Sequence, residues 1–546
     1  MRHPVLPRGK EIGLPALSGL LLTLSFPPFH LLLPPFVALV PYLIFVAGLP
    51  DDSTGSASVR RGSFWMGVVF YGTLLYWLFT ALVFYTWLSL LGYLITVVVL
   101  SGFLSLAGWA IHHVRVRHSI PFWISLPIFW TTAEWLRAHL GDLAFPWLGL
   151  GHSLTGFPAL IGFADIAGAR GVTVWLVAIN GLLAEWWLGG WRVRWQRWSL
   201  ALAALILLPV GYSLIRWQTL ETRPAARVLV VQPNIPEDLK LEREVAEDSS
   251  RTALDNLTRA ALSDSPDVDL IVWPETALPN YFRLADEWMN WSRMMARDHH
   301  VAILFGAHDF ERYGHDDLDY DAYNAALFLD RRGSPAGVYR KHYLVPIVER
   351  VPFIPVHWIR RLRVKLRGRQ VPLLGDLAAF LHYFGGFGRG REEPVMNVDR
   401  ARFGVLICYE SIFPQLSRTY RREGADFLVN ITNDAWFGRE RPIWSRTSAL
   451  FQHPAHLVMR AIENRIGVAR AANTGVSLFI DPRGRRSERT PLFQPAARVA
   501  TVETTDGLTV YARLGDWSGW LAAVTAVVVL AVSWWRGRRE ERGARS

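Results

Sequence analysis

FGVLICYESIFPQLSRTYRREGADFLVNIT, residues 403–432, carries two periodicities in one short segment. An apolar run at 403–408 leads into a helical pattern at 411–423, and a second apolar run follows at 426–432. Apolar strands alternating with an amphipathic helix in this way indicate an α/β layer architecture. The pattern continues on both sides. ARVLVVQ (226–232), DLIVW (269–273), VAILFGA (301–307), NAALFLD (324–330), RIGVARAA (465–472) and VSLFID (476–481) predict further strands. Residues 243–262, 285–298 and 446–463 predict helices. Residues 221–516 are therefore expected to form an α/β domain with covered sheet faces.

Outside that segment the composition changes. Hydrophobic residues make up 51% of the 546 positions, and the excess lies in 12–215 and 518–535. A spanning helix needs about 20 apolar residues. About eight spans are expected: two within 12–48, divided by FPPFH (26–30), then 63–82, 88–111, 119–136, 171–189, 199–216 and 518–535. The predicted division is 1–220 for the first seven, 221–516 for the α/β domain and 517–546 for the last span and a basic tail. The basic N-terminus runs straight into an apolar hairpin, which reads as retained membrane helices rather than a cleaved leader. If Arg2, Arg8 and Lys10 lie inside, the turns returning inside carry Arg60 and Arg61, Arg115 and Arg117, and Arg192, Arg194 and Arg197. The outside turns at 27–30 and 83–87 have no Lys or Arg. This positive-inside pattern puts 217–517 outside the cytoplasm. The net charge of +11 fits topology signals and anionic lipid better than nucleic acid. A Gly- and Pro-dense segment at 139–170 reads either as an interfacial loop anchored by Trp147 or as a floor beneath the outer domain.

Cys408 is the only cysteine. It excludes an internal disulfide framework and a multi-cysteine metal site, and no metal or cofactor is expected. Catalytic groups in α/β folds gather where strands end. Glu275 follows DLIVWP, Lys341 follows GVYR, and Cys408 ends FGVLI. A thiolate is a strong nucleophile, a carboxylate can take its proton, and an ammonium can steady both thiolate and oxyanion. Such a set would attack an acyl carbon and hold a thioester. Each residue also has an ordinary reading: a buried small hydrophobe, a turn glutamate and a solvated lysine.

The surrounding residues resemble the nitrilase superfamily and, within it, the apolipoprotein N-acyltransferases. The matching segments are VVQPNIP (230–236), VWPETALP (272–279), YRKHYLVP (339–346), LICYESIFP (406–414), NITNDAWFG (430–438) and MRAIENRIGVARAANTGVS (459–477). FPPF (26–29) and FPWLGLGHS (145–153) extend the likeness to the membrane part. The resemblance implies an αββα sandwich with Glu275 as general base, Lys341 as oxyanion stabiliser and Cys408 as nucleophile. It implies supporting roles for Glu349, Tyr409 and Glu410, and places Trp436 at substrate access. Its implied reaction moves an acyl chain from a phospholipid to the N-terminal amine of a diacylglyceryl-cysteine on an apolipoprotein. The implied protein is a multi-pass monomer of the bacterial inner membrane with a periplasmic catalytic domain. Val348 stands where the family usually has glycine, and Leu241 where it often has tryptophan. Residues 350–395 are longer and more basic than usual and are expected to form a membrane-facing lid, with hinges at Gly385, Gly386, Gly388 and Gly390. Two rivals remain: a membrane-anchored amidase of the nitrilase type, and a non-catalytic membrane protein. The second would need ionisable groups inside the spans; Glu134 and Asn180 are the main polar residues there.

Overall fold

The computed structural model describes residues 9–83, 86–190, 195–236, 243–314, 319–359 and 386–543. Leu241 and most of the expected lid lie outside them. The chain divides into two compact units, one of residues 1–79, 90–220 and 514–546, the other of 80–89 and 221–513.

The first unit is helical. Among the described residues, four helices are long and apolar enough to cross a membrane: Leu88–His118, Ala164–Leu188, Trp195–Thr219 and Trp517–Arg536. Two shorter apolar helices occupy Ile12–Ser25 and Pro34–Ala47. The expected span at 63–82 is broken: helix Ser53–Leu74 stops, and a short helix resumes at Trp77–Leu82. The helix at Phe122–Arg137 has 16 residues, short of the usual spanning length.

Polar side chains join these broken pieces. Asn180 accepts the Leu39 N–H at 2.8 Å and donates to the Pro35 carbonyl at 2.9 Å. Glu134 accepts from Trp130 Nε1 (3.0 Å), the Leu150 N–H (2.8 Å) and the Thr173 hydroxyl (2.9 Å). Backbone groups freed by helix breaks must find partners in an apolar surrounding, and these two residues supply them. Trp147 is fully buried, with its ring 4.9 Å from Trp77. That overturns its reading as an interfacial anchor: the segment after Phe122–Arg137 folds back and closes over it.

The second unit holds two six-stranded sheets. The first runs β12 (Ala496–Thr504), β1 (Arg223–Gln232), β2 (Leu270–Val272), β3 (Ala302–Arg312), β4 (Tyr320–Leu329), β5 (Pro335–Arg340). The second runs β11 (Arg486–Ser487), β10 (Leu478–Ile480), β9 (Gly467–Ala472), β8 (Phe427–Thr432), β7 (Ala401–Ile407), β6 (Met396–Val398). Each has a parallel centre, β1–β2–β3 and β7–β8–β9, with antiparallel margins. Phe328 of β4 and Phe403 of β7 meet edge to face at 5.3 Å, so the sheets pack against each other. Helices Arg243–Asp264 and Asp286–His299 cover the first sheet, burying Leu254, Trp288 and Met295 with Leu229, Ile271 and Phe305. Helices Pro414–Arg422 and Ala449–Asn464 serve the second sheet. The expected αββα sandwich is present.

Candidate active site

Glu275, Lys341 and Cys408 come from three strand ends, and the two sheets bring them together. Glu275 lies just past β2. Its turn rests on Gly306 of β3, where a Cβ would sit 2.6 Å from the Glu275 Cα; only glycine admits that approach. Lys341 follows β5. Its N–H donates to the Asn324 carbonyl of β4 at 2.8 Å, and its own carbonyl accepts the Gly390 N–H at 2.9 Å. Gly390, expected as a hinge, is thus fixed by close approach: a Cβ there would meet the Arg340 carbonyl oxygen at 1.9 Å. Cys408 begins a tight turn after β7 with φ of 50°, an uncommon conformation for a residue with a side chain.

The Lys341 ammonium lies between two carboxylates, 3.2 Å from Glu275 Oε1 and 2.9 Å from Glu349 Oε1. Asn324 Nδ2 donates to the same two oxygens at 2.7 and 2.9 Å. The remaining oxygens are held by backbone: Asn433 N–H on Glu275 Oε2 and Val345 N–H on Glu349 Oε2, both 2.8 Å. Glu349 therefore reaches the cluster although Val348 replaces glycine. The turn is made by Ile347, at φ of 70°.

Burial would strip the Lys341 proton, but Glu275 and Glu349 overrule it and hold the ammonium far above the usual lysine range. Burial favours the neutral acid at Glu275, yet Lys341, Asn324 and the Asn433 N–H keep it below the usual carboxylate range. Burial and then the Glu275 charge push the Cys408 thiol well up, against the opposing pull of the Lys341 ammonium. The resting site therefore holds a protonated thiol, an ionised Glu275 and a protonated Lys341. A buried thiol that feels the charges of a carboxylate and a fixed ammonium from neighbouring strand ends is the chemistry of acyl transfer through a thioester.

Glu410 is wholly buried and organises the turn behind the nucleophile. Its Oε1 accepts from the Tyr339 hydroxyl (2.6 Å), the His342 N–H (2.6 Å) and the Tyr343 N–H (3.0 Å), and its Oε2 from the Ile407 N–H (2.7 Å). One side chain thereby binds the segment after β5 to the end of β7. Burial pushes its carboxyl up to about 7, despite the hydrogen bonds from Tyr339 and Ile407. Tyr409 is buried edge-on to Phe413 at 5.3 Å. Trp436 is half-buried in the turn after β8.

Sequence reasoning passed over Asn324, Thr432 and Asn433. The available signal was a polar residue inside or ending an apolar run, as in NAALFLD and DFLVNIT. Among the described residues no cluster of His, Cys, Asp and Glu could hold a metal ion.

Residues 227–506 match the carbon-nitrogen hydrolase family, and residues 18–182 match the apolipoprotein N-acyltransferase N-terminal domain. An apolipoprotein N-acyltransferase of Geobacter metallireducens is 32% identical over 97% of this chain and 96% of its own. The chain belongs to the apolipoprotein N-acyltransferase family. Another apolipoprotein N-acyltransferase, from Chlorobaculum tepidum, is 31% identical over 93% of each chain. Among solved structures, an amidase from Nesterenkonia sp. AN1 aligns over 53% of this chain and 96% of its own, at 17% identity and a TM-score of 0.34.

Proposed function

We propose that this protein acylates the N-terminal amine of diacylglyceryl-cysteine on apolipoproteins, using a phospholipid as donor and Cys408 as carrier. The carrying observation is the buried Lys341 ammonium, fixed between Glu275 and Glu349 beside the one thiol of the chain. In the first half-reaction Cys408 sulfur attacks the ester carbonyl while its proton passes to Glu275. The C–O bond breaks, the lysophospholipid leaves with that proton, and a thioester remains. In the second, the acceptor amine attacks the thioester and gives a proton to Glu275. The C–S bond breaks, sulfur recovers the proton, and an amide leaves. Lys341 faces the oxyanion in both tetrahedral states. Because Glu275 is a weakened base and the thiol a weakened acid, attack and proton transfer must proceed together. Trp436 contributes to substrate access. Residues 1–220 and 517–546 hold the chain in the bacterial inner membrane, and 221–516 carry out the chemistry on its periplasmic side. The anchored-amidase reading would use water in the second half-reaction. Membership in the acyltransferase family over almost the whole chain favours the amine.

The test is intact mass. Detergent-solubilised protein incubated with phosphatidylethanolamine should gain one acyl group, lost on adding a diacylglyceryl-cysteine peptide with formation of its amide. Cys408→Ala should gain none. No adduct on the folded wild-type protein would end the proposal.

A further inference from the structure

Behind the nucleophile lies a second buried polar array that the acyl-transfer chemistry above does not employ. It begins and ends at the close of β7. Asn430 Nδ2 on β8 donates to the Leu406 carbonyl at 2.9 Å. Arg470 on β9 donates from Nη1 to Asn430 Oδ1 at 2.5 Å and from Nη2 to Asp434 Oδ2 at 2.6 Å. His453, from helix Ala449–Asn464, places Nδ1 3.0 Å from Asp434 Oδ1 and 3.2 Å from Arg470 Nη2. Its other ring nitrogen, Nε2, lies 3.0 Å from the Cys408 carbonyl oxygen. Asn430, Arg470, Asp434 and His453 are all fully buried. The circuit therefore ties down two carbonyls of one strand end, Leu406 and Cys408. A carbonyl only accepts, so Nε2 carries a proton. Burial and then the Arg470 charge hold His453 below the usual histidine range, despite Asp434. The ring is neutral, and its acceptor at Nδ1 meets Arg470.

We propose that His453 is a positioning residue whose Nε2–H fixes the Cys408 carbonyl and, through it, the aim of the nucleophile. Cys408 sits at φ of 50°, a sparsely populated conformation for a residue with a side chain. Such a conformation persists only where its surroundings over-determine it. A buried carbonyl also needs a donor. Leaving the left-handed region swings that carbonyl away from Nε2 and strands two buried polar groups at once. The peptide unit is planar, so the same bond sets the direction of the Tyr409 N–H, opposite the carbonyl. It also sets the direction in which the Cys408 side chain leaves the strand, since the substituents of Cα move together. Asp434 and Arg470 hold the ring by Nδ1, which leaves Nε2 as the nitrogen that faces Cys408. Arg470 is held in turn by the Val476 carbonyl, which accepts from Nε at 3.1 Å. The thiol is thus aimed by a side chain of a helix, braced against the two strands β8 and β9.

The inference rests on Cys408 being the acyl carrier of the reading above, and a soluble ester tests it without any phospholipid. When the solubilised full-length protein meets p-nitrophenyl butyrate, Cys408 sulfur takes the butyryl group and p-nitrophenol leaves with the thiol proton. The burst of p-nitrophenol against ester concentration gives a maximal rate and a half-saturating concentration, and intact mass confirms one butyryl group. Two amides separate the roles of the ring nitrogens. In His453→Gln the amide nitrogen reaches the place of Nε2 and can donate to Cys408; in His453→Asn it reaches only the place of Nδ1. The Asn variant should lose about 100-fold in maximal rate, the effect of a misplacement near 1 Å, with its half-saturating concentration unchanged. The Gln variant should stay within about threefold of wild type, as a retained hydrogen bond requires. Melting followed by tryptophan fluorescence checks each variant, and His453→Leu, which also lacks the donor, carries the comparison should Asn fail to fold. Gln and Asn variants of equal rate would overturn the proposal, and so would a loss confined to the half-saturating concentration. Either result leaves acyl transfer from phospholipid standing. Failure of phosphatidylethanolamine to load a wild-type protein that still gives the burst would end the proposed function and leave this one intact.

Discussion

Glu349→Gln is the sharpest test of the cluster around Lys341. Glu349 Oε1 receives Lys341 Nζ and Asn324 Nδ2, both at 2.9 Å, and Oε2 receives the Val345 N–H at 2.8 Å. A glutamine can satisfy only one side. With its oxygen toward Lys341, its NH2 opposes the Val345 N–H; turned over, its NH2 opposes an ammonium and an amide. Removing one partner from a buried ion pair costs about 3–5 kcal/mol, which should lower the melting temperature by roughly 10 °C. The kinetic effect follows from what Lys341 does next. Left with Glu275 alone at 3.2 Å, the ammonium closes on it, weakening the base and leaving the oxyanion position. Loss of one oxyanion donor costs about 100- to 1,000-fold in kcat. Single-turnover loading of Cys408 by phosphatidylethanolamine, read by intact mass, isolates this step. The double variant Lys341→Met with Glu349→Gln should be little worse than Lys341→Met alone, because the two residues act through one contact. A Glu349→Gln protein that loads at the wild-type rate and melts at the wild-type temperature would refute the reasoning.

Other expectations follow from the same geometry. Since burial holds the Cys408 thiol well above its ordinary range, its alkylation rate should climb about tenfold per pH unit from 7 to 9; a plateau below pH 8 would contradict the protonated resting state. Glu410 is held at about 7 in the folded chain, so folding binds its proton more tightly than the unfolded chain does. That stabilisation is complete below roughly pH 4 and is lost as pH rises through about 7. The melting temperature of wild type relative to Glu410→Gln should therefore decline across that interval, and a flat or widening difference would count against it. In the helical unit, Asn180→Leu orphans the Leu39 N–H and the Pro35 carbonyl, at about 1–3 kcal/mol each. A variant as resistant to thermal aggregation as wild type would show that these bonds do not hold the broken helices together.

How far the sequence discloses this structure depends on what each element is buried against. β7 and β8 lie in the middle of a sheet with both faces covered, so they read as unbroken apolar runs. β12, Ala496–Thr504, pairs antiparallel with β1 at a sheet margin and is largely half-buried; its mixed AARVATVET gives no such run and is missed. β6 and β11, three and two residues long, are too short for any periodicity. In the helical unit, hydropathy sees apolar length but not the interruption at 75–76, where Leu75 and Trp77 are buried and Trp77 packs on Trp147. In the site, Glu275, Lys341 and Cys408 show individually as chemistry at strand ends, and the family resemblance singles them out as a set. Asn324 is invisible in that way. It matters through Glu275 and Glu349, 49 and 25 residues distant in the chain, and a lone polar residue in an apolar strand does not say which partner it meets.

The left-handed backbone at Cys408 has an evolutionary consequence. A side chain held at φ of 50° stores roughly 1–2 kcal/mol of strain that glycine would not feel. The residue that the backbone would accept most easily is one that has no sulfur. Drift toward a more comfortable fold and selection for a working nucleophile therefore pull in opposite directions at this one position. A lineage released from the need for the reaction should lose the thiol here early, while the rest of the sandwich still folds.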